Sequence, residues 1–98
     1  MAFVQIIDYR TTRADEVQDL LSRWIELTGG KRTATRTTVG RDRQDPTHFM
    51  EILEFPSYEV AMANSALPET TRVHEEFVAL LEEPPRFIDL DVIRSESL

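Results

Sequence analysis

Apolar residues occupy both faces of the first predicted strand. Over about Ala2 to Tyr9, Phe3, Gln5, Ile7 and Tyr9 share one face while Val4, Ile6 and Asp8 share the other. An antiparallel sheet with one wet face would show a clean apolar and polar alternation instead. The period then changes to that of a helix. From about Arg13 to Thr28, Val17, Leu20, Leu21, Trp24 and Leu27 recur at helical spacing, with Thr11 or Thr12 as the expected N-cap. Asp15 and Glu16 suit the positive end of the helix, and Gly29-Gly30 supplies the left-handed turn that ends it.

A Thr-rich strand is predicted over about Arg32 to Val39, with Arg32, Arg36 and Thr38 on its polar face. The charged turn Gly40 to Pro46 joins it to a strand at about Thr47 to Phe55. That strand places Phe49, Glu51, Leu53 and Phe55 on one face and His48, Met50, Ile52 and Glu54 on the other. Ser57 caps a short helical turn through about Ala63, the stretch Asn64 to Leu67 interrupts it, and Pro68 opens a helix running to about Glu82. Val73, Phe77, Leu80 and Leu81 form its stripe, with His74 at the edge. Pro84-Pro85 stops it before a last strand at about Arg86 to Arg94 and a frayed tail from Ser95 to Leu98.

Strand, helix, strand, strand, helix, strand in 98 residues is the split βαβ order of a ferredoxin-like α+β fold, and residues 1–98 are expected to form one domain. Helices would cover one face of a four-stranded antiparallel sheet and leave the other bare. Because strand one is apolar on that side too, a second copy of the chain is the simplest cover.

Composition narrows the partners. A net charge of −7 speaks against nucleic acid, which needs a basic stripe to displace counterions. The arginines between Lys31 and Arg43 alternate with threonines and are offset by Asp42 and Asp45. No cysteine is present, so disulfides, thiolate metal sites and cysteine nucleophiles are excluded and a reducing cytoplasm is the expected setting. The apolar N-terminal stretch is too short for a signal peptide and lacks its basic start, and no segment approaches the ~20 apolar residues of a membrane span.

The segment from Ser57 to Ser65, then Leu67-Pro68 and His74 with Phe77, resembles the dimeric α/β-barrel superfamily, and within it the small antibiotic biosynthesis monooxygenase-like domains. An aromatic residue followed by alanine at the start of a broken second helix, with a histidine on the following turns, carries the likeness. The resemblance implies a homodimer in which two sheets face each other as a closed barrel, and a cavity between each sheet and its helices. It implies an activity too: cofactor-independent oxygenation of an apolar or aromatic metabolite, with a non-catalytic ligand-binding or structural module as the alternative. Such oxygenation needs a base, a donor for the developing oxyanion and a dry apolar box. His74, Tyr58 and Arg36 are the catalytic candidates, and Tyr9, Trp24, Phe49 and Phe77 the substrate-binding ones.

The same residues have plainer readings. Trp24 lies on a core stripe, and His74 can be a helix-edge histidine bonded to a neighbour or water as readily as a general base. Haem-degrading relatives place an asparagine on strand one and a tryptophan early in the second helical region. Here strand one offers Ile7 and Asp8, and the second region has Tyr58, so no cofactor is expected. Asp89 and Asp91, roughly 7 Å apart by strand geometry, are expected to pair across strands with Arg32, Arg36 or Arg94, in the same chain or in the partner subunit, with Glu51 in the same cluster, rather than to hold a metal. Gly-rich phosphate loops, nucleophile elbows and zinc-ligand spacings are absent.

Overall fold

A computed structural model describes residues 1–98. Its elements are β1 (Phe3–Arg10), α1 (Ala14–Leu27), β2 (Arg36–Arg41), β3 (His48–Phe55), α2 (Tyr58–Ser65), α3 (Pro68–Ala79) and β4 (Arg86–Asp91). The sheet runs β2-β3-β1-β4 with every neighbour antiparallel, which is the ferredoxin-like order.

Register sorts the side chains into two faces. Phe3 pairs with Phe55, Gln5 with Leu53, Ile7 with Glu51 and Tyr9 with Phe49, so these residues point toward the helices. There they meet Val17 and Trp24 of α1 and Ala61 of α2 in one core cluster. Aromatic packing supports it: Tyr9 stacks on Phe49 at 5.6 Å and takes Phe77 edge-on at 5.0 Å. On the opposite face, Ile88, Ile6, Ile52 and Thr38 form one row across all four strands. Val4, Met50 and Leu90 extend it, with Met50 and Leu90 exposed on the surface of the single chain.

Several boundaries differ from the sequence pattern, each because a particular contact captures the chain. Helix α1 has Arg13 as N-cap without a side-chain bond, while the Thr11 hydroxyl accepts from the Arg13 N–H and turns the chain into the helix. Of the two glycines after α1, Gly30 takes the left-handed conformation, at φ 83°. Strand β2 starts at Arg36 because the preceding residues dock elsewhere. The Thr33 N–H donates to Asn64 Oδ1 and its hydroxyl to the Val60 carbonyl, tying this segment to α2.

The second helical region breaks into α2 and α3 at Ala66-Leu67, with Ser57 accepting from the Val60 N–H as N-cap and Pro68 in the first turn of α3. Helix α3 stops at Ala79 because β1 captures its end: the Thr11 hydroxyl donates to the Leu80 carbonyl, and the Glu82 N–H donates to the Arg10 carbonyl. Strand β4 ends at Asp91, opposite Phe3, where its partner strand runs out. Helix α3 has no buried residue. It packs on α1 and lies over a void rather than a filled core.

Candidate functional site

That void is a cavity of about 390 Å³ between the sheet and the helices, within the range of small-molecule sites. The sheet makes its floor. Val39, Glu51, Ile7 and Phe87 stand opposite one another in one row across four strands, so a carboxylate sits in the middle of an otherwise apolar line. Helix α1 supplies Leu20, Leu21 and Trp24 as one wall, and α3 supplies Val73, His74 and Phe77 as the roof.

The cavity persists because its bulky walls are tethered sideways. Trp24 donates its indole N–H to the Thr70 hydroxyl at 2.9 Å, which pins α1 to α3 and keeps the ring along the wall. Arg32 lies over the other side of the ring, 5.6 Å from its centre. Ion pairs Arg23–Glu76 and Lys31–Glu69 link the same two helices, or the loop after α1 to α3, at the surface. Leu81 does not line the cavity, and Trp24 and Phe77 border it without filling it.

The ionisable side chains that line the cavity are Tyr9, Glu51 and His74; no lysine or arginine does. Glu51 accepts a hydrogen bond from the Thr37 hydroxyl at 2.7 Å. Burial still pushes its carboxyl above the ordinary glutamate value, with the Thr37 bond working against the shift. Tyr9 is buried, and its phenol is pushed up to about 12, first by burial and then by the Glu51 charge, while Gln18 opposes the shift. It is therefore a neutral hydroxyl at any physiological pH. His74 is exposed at the rim, with its ring 5.6 Å from that of Phe87 and 6.4 Å from that of Phe77.

Of the residues singled out from sequence, Tyr9, Trp24, His74 and Phe77 come together here. Three others stand apart. Phe49 is buried behind Tyr9 as its stacking partner. Tyr58, at the start of α2, is half-exposed and packs edge-on against Phe3. Arg36 points to the bare face of the sheet, opposite Glu54, at 3.8 Å from its carboxylate.

The acidic pair on β4 also resolves differently. Asp89 accepts from the Gln5 amide at 3.1 Å, whereas Arg32 bonds the Ile25 carbonyl and Thr28, and Arg94 pairs with Glu96. β4 and β2 are opposite edges of the sheet, which keeps Arg36 away from the aspartates of its own chain. Glu51 belongs to the cavity and not to that cluster. Its signal was the single carboxylate on the stripe Phe49, Glu51, Leu53, Phe55.

Comparison with solved structures places this architecture. The chain superposes on SnoaB, a cofactor-independent oxygenase from Streptomyces nogalater, with a TM-score of 0.82 at 12% identity, covering 96% of this chain and 95% of the other. The fold is that of the antibiotic biosynthesis monooxygenases. A second such monooxygenase matches with a TM-score of 0.75 at 23% identity, over 96% of this chain and 100% of its own. A conserved protein from Methanosarcina mazei Go1 has the same monooxygenase-type fold, with a TM-score of 0.81 at 11% identity over 92% of this chain and 91% of its own. No family model and no curated protein matches the sequence.

No helix is long and apolar enough to cross a membrane. No cluster of histidine and carboxylates has a metal-binding arrangement. His48 illustrates why: Asp8 and Asp42 take opposite ring nitrogens, at 2.6 and 3.0 Å, so the three groups do not converge on one point.

Proposed function

We propose that the protein is a small-molecule enzyme of the monooxygenase-like kind, which takes an apolar hydroxyarene into the cavity and oxygenates it without a cofactor. The observation that carries this reading is the unfilled apolar cavity on which Tyr9, Trp24, His74 and Phe77 converge. SnoaB, with the same fold, is a cofactor-independent oxygenase.

The chemistry asks little of the protein beyond a proton acceptor and a dry box. His74 at the rim is the acceptor. It removes a ring-carbon proton from a substrate such as a hydroxyanthrone, which carries a phenol beside its ketone, leaving a carbanion whose charge spreads onto the ketone oxygen. That anion passes an electron to dioxygen, the two radicals join as a peroxide anion that takes the proton back from His74, and loss of water from the resulting hydroperoxide leaves the quinone. One dioxygen is consumed, with one of its oxygen atoms in the new carbonyl and the other in water. Trp24 and Phe77 flank the ring system, and the Tyr9 hydroxyl, neutral throughout, is available as a donor.

In this reading the protein works as a cytoplasmic homodimer. The apolar row on the bare sheet face, with Val4, Met50 and Leu90 beside it, supports that assembly, since a patch of this kind is rarely left wet.

1,8-Dihydroxyanthrone in air, with no added cofactor, tests the activity. Oxygen uptake should match quinone formation one to one, and His74→Ala should abolish it while the circular dichroism spectrum is retained. A co-purifying ligand found by mass spectrometry, without uptake on 1,8-dihydroxyanthrone or on that ligand, would instead establish the non-catalytic binding module.

A further inference from the structure

Glu51 lies outside the chemistry assigned to His74, yet it stands in an apolar row of the cavity floor, an unfavourable place for a charge. Its row neighbours are Val39 and Ile7, and one hydroxyl, that of Thr37, bonds to it. A carboxylate held among apolar side chains costs free energy unless something satisfies its remaining lone pairs. Packing alone would favour an aliphatic residue at this position.

Charge around the cavity is equally one-sided. With neither lysine nor arginine among its lining residues, the site has no permanent cation to balance an anionic ligand. An anion and Glu51 can share the space only if one of them takes up a proton, which is unfavourable at neutral pH. A ligand hydroxyl, by contrast, can donate to the free lone pairs of Glu51 and relieve the cost.

We propose that Glu51 is the specificity-determining residue of the cavity: it selects a neutral ligand carrying a hydroxyl donor and rejects the carboxylate analogue of the same ring system. This rests on the cavity being a ligand site, as proposed above. It does not depend on turnover.

Sites built to hydrogen-bond a hydroxyl discriminate strongly against analogues that lack it, because the buried partner is then left unpaired. Thr37 orients the carboxylate from the edge strand β2, and the Tyr9 ring borders the same space.

Trp24, the sole tryptophan, gives a direct readout through its indole N–H signal in a nitrogen-15 NMR spectrum. The probes are 2-naphthol, 2-naphthoate and 2-methoxynaphthalene at pH 7. In the native protein 2-naphthol should bind at least about tenfold more tightly than either of the others, a difference of about 1.4 kcal/mol. Glu51→Gln should bring 2-naphthoate to within about threefold of 2-naphthol, since a neutral amide no longer repels it. The native comparison with 2-methoxynaphthalene needs no variant and stands even if Glu51→Gln does not fold. Equal binding of the three probes, or an unchanged preference in Glu51→Gln, overturns the role of Glu51 and leaves the cavity as a ligand site. No response to any probe overturns both readings.

Discussion

The two faces of one sheet treat carboxylates in opposite ways. On the bare face, Asp8 and Asp42 hold His48 between them, and each has a partner that balances it. On the helix side, Glu51 has the Thr37 hydroxyl and no cation. The first arrangement is closed on itself, and the second leaves hydrogen-bonding capacity facing a cavity. Strand β3 carries both His48 and Glu51, three residues apart in sequence and on opposite faces, so alternation alone separates the two environments.

The largest test of the contrast removes the packing on the helix side. Trp24→Ala should destabilise the protein by about 3–5 kcal/mol in denaturant unfolding, because it enlarges a void that already exists and frees the Thr70 hydroxyl. The corresponding break on the bare face is Ile6→Asp, which places a charge in the centre of the isoleucine row. Light scattering should report a dimer for the native protein, as proposed, and a monomer for the variant, with the dissociation constant raised roughly a hundredfold or more. A native chain that is already monomeric at micromolar concentration would remove the assembly claim.

Two smaller effects separate the faces by pH. The carboxyl of Glu51 is raised in the fold, so the folded state binds its proton more tightly than the unfolded chain does. Stability from this group is therefore greatest in acid and declines as pH rises from the ordinary glutamate range through the raised value. Glu51→Gln should remove that decline and stabilise the protein at neutral pH by on the order of 1 kcal/mol. His48 is also raised, first by its hydrogen bond to Asp42 and then by that to Asp8. Its contribution is complete below the ordinary histidine value and disappears as pH climbs through the higher folded value. His48→Gln should flatten only this later step, and unfolding midpoints measured from pH 4 to 9 would show whether the two windows are distinct.

Much of this architecture was legible in the chain. The two apolar faces of β1, the Ser57 cap and the Pro68 restart each reflect a local rule, and each appears in the structure. What escaped depended on long-range pairing. Strand β2 begins late because Thr33 finds partners on α2, and α3 ends early because Thr11 and Arg10 capture its last turn. No local pattern encodes either contact. The candidate site divides along the same line. Tyr9, Trp24, His74 and Phe77 lie on stripes that periodicity can read, and they share the cavity. Arg36 and Tyr58 needed the register and the α2 docking angle before their sides were known. Glu51 was visible as the one acid on an apolar stripe, but only the cross-strand row shows that its neighbours offer no counter-charge.

Helix α3 is fastened near its two ends: Thr70 receives the Trp24 indole, and Leu80 receives the Thr11 hydroxyl. Between those fixings Val73, His74 and Phe77 span the gap like a beam resting on two supports. The Arg23–Glu76 ion pair props the same beam between its ends, so the clearance beneath it is set by the fold rather than by the ligand.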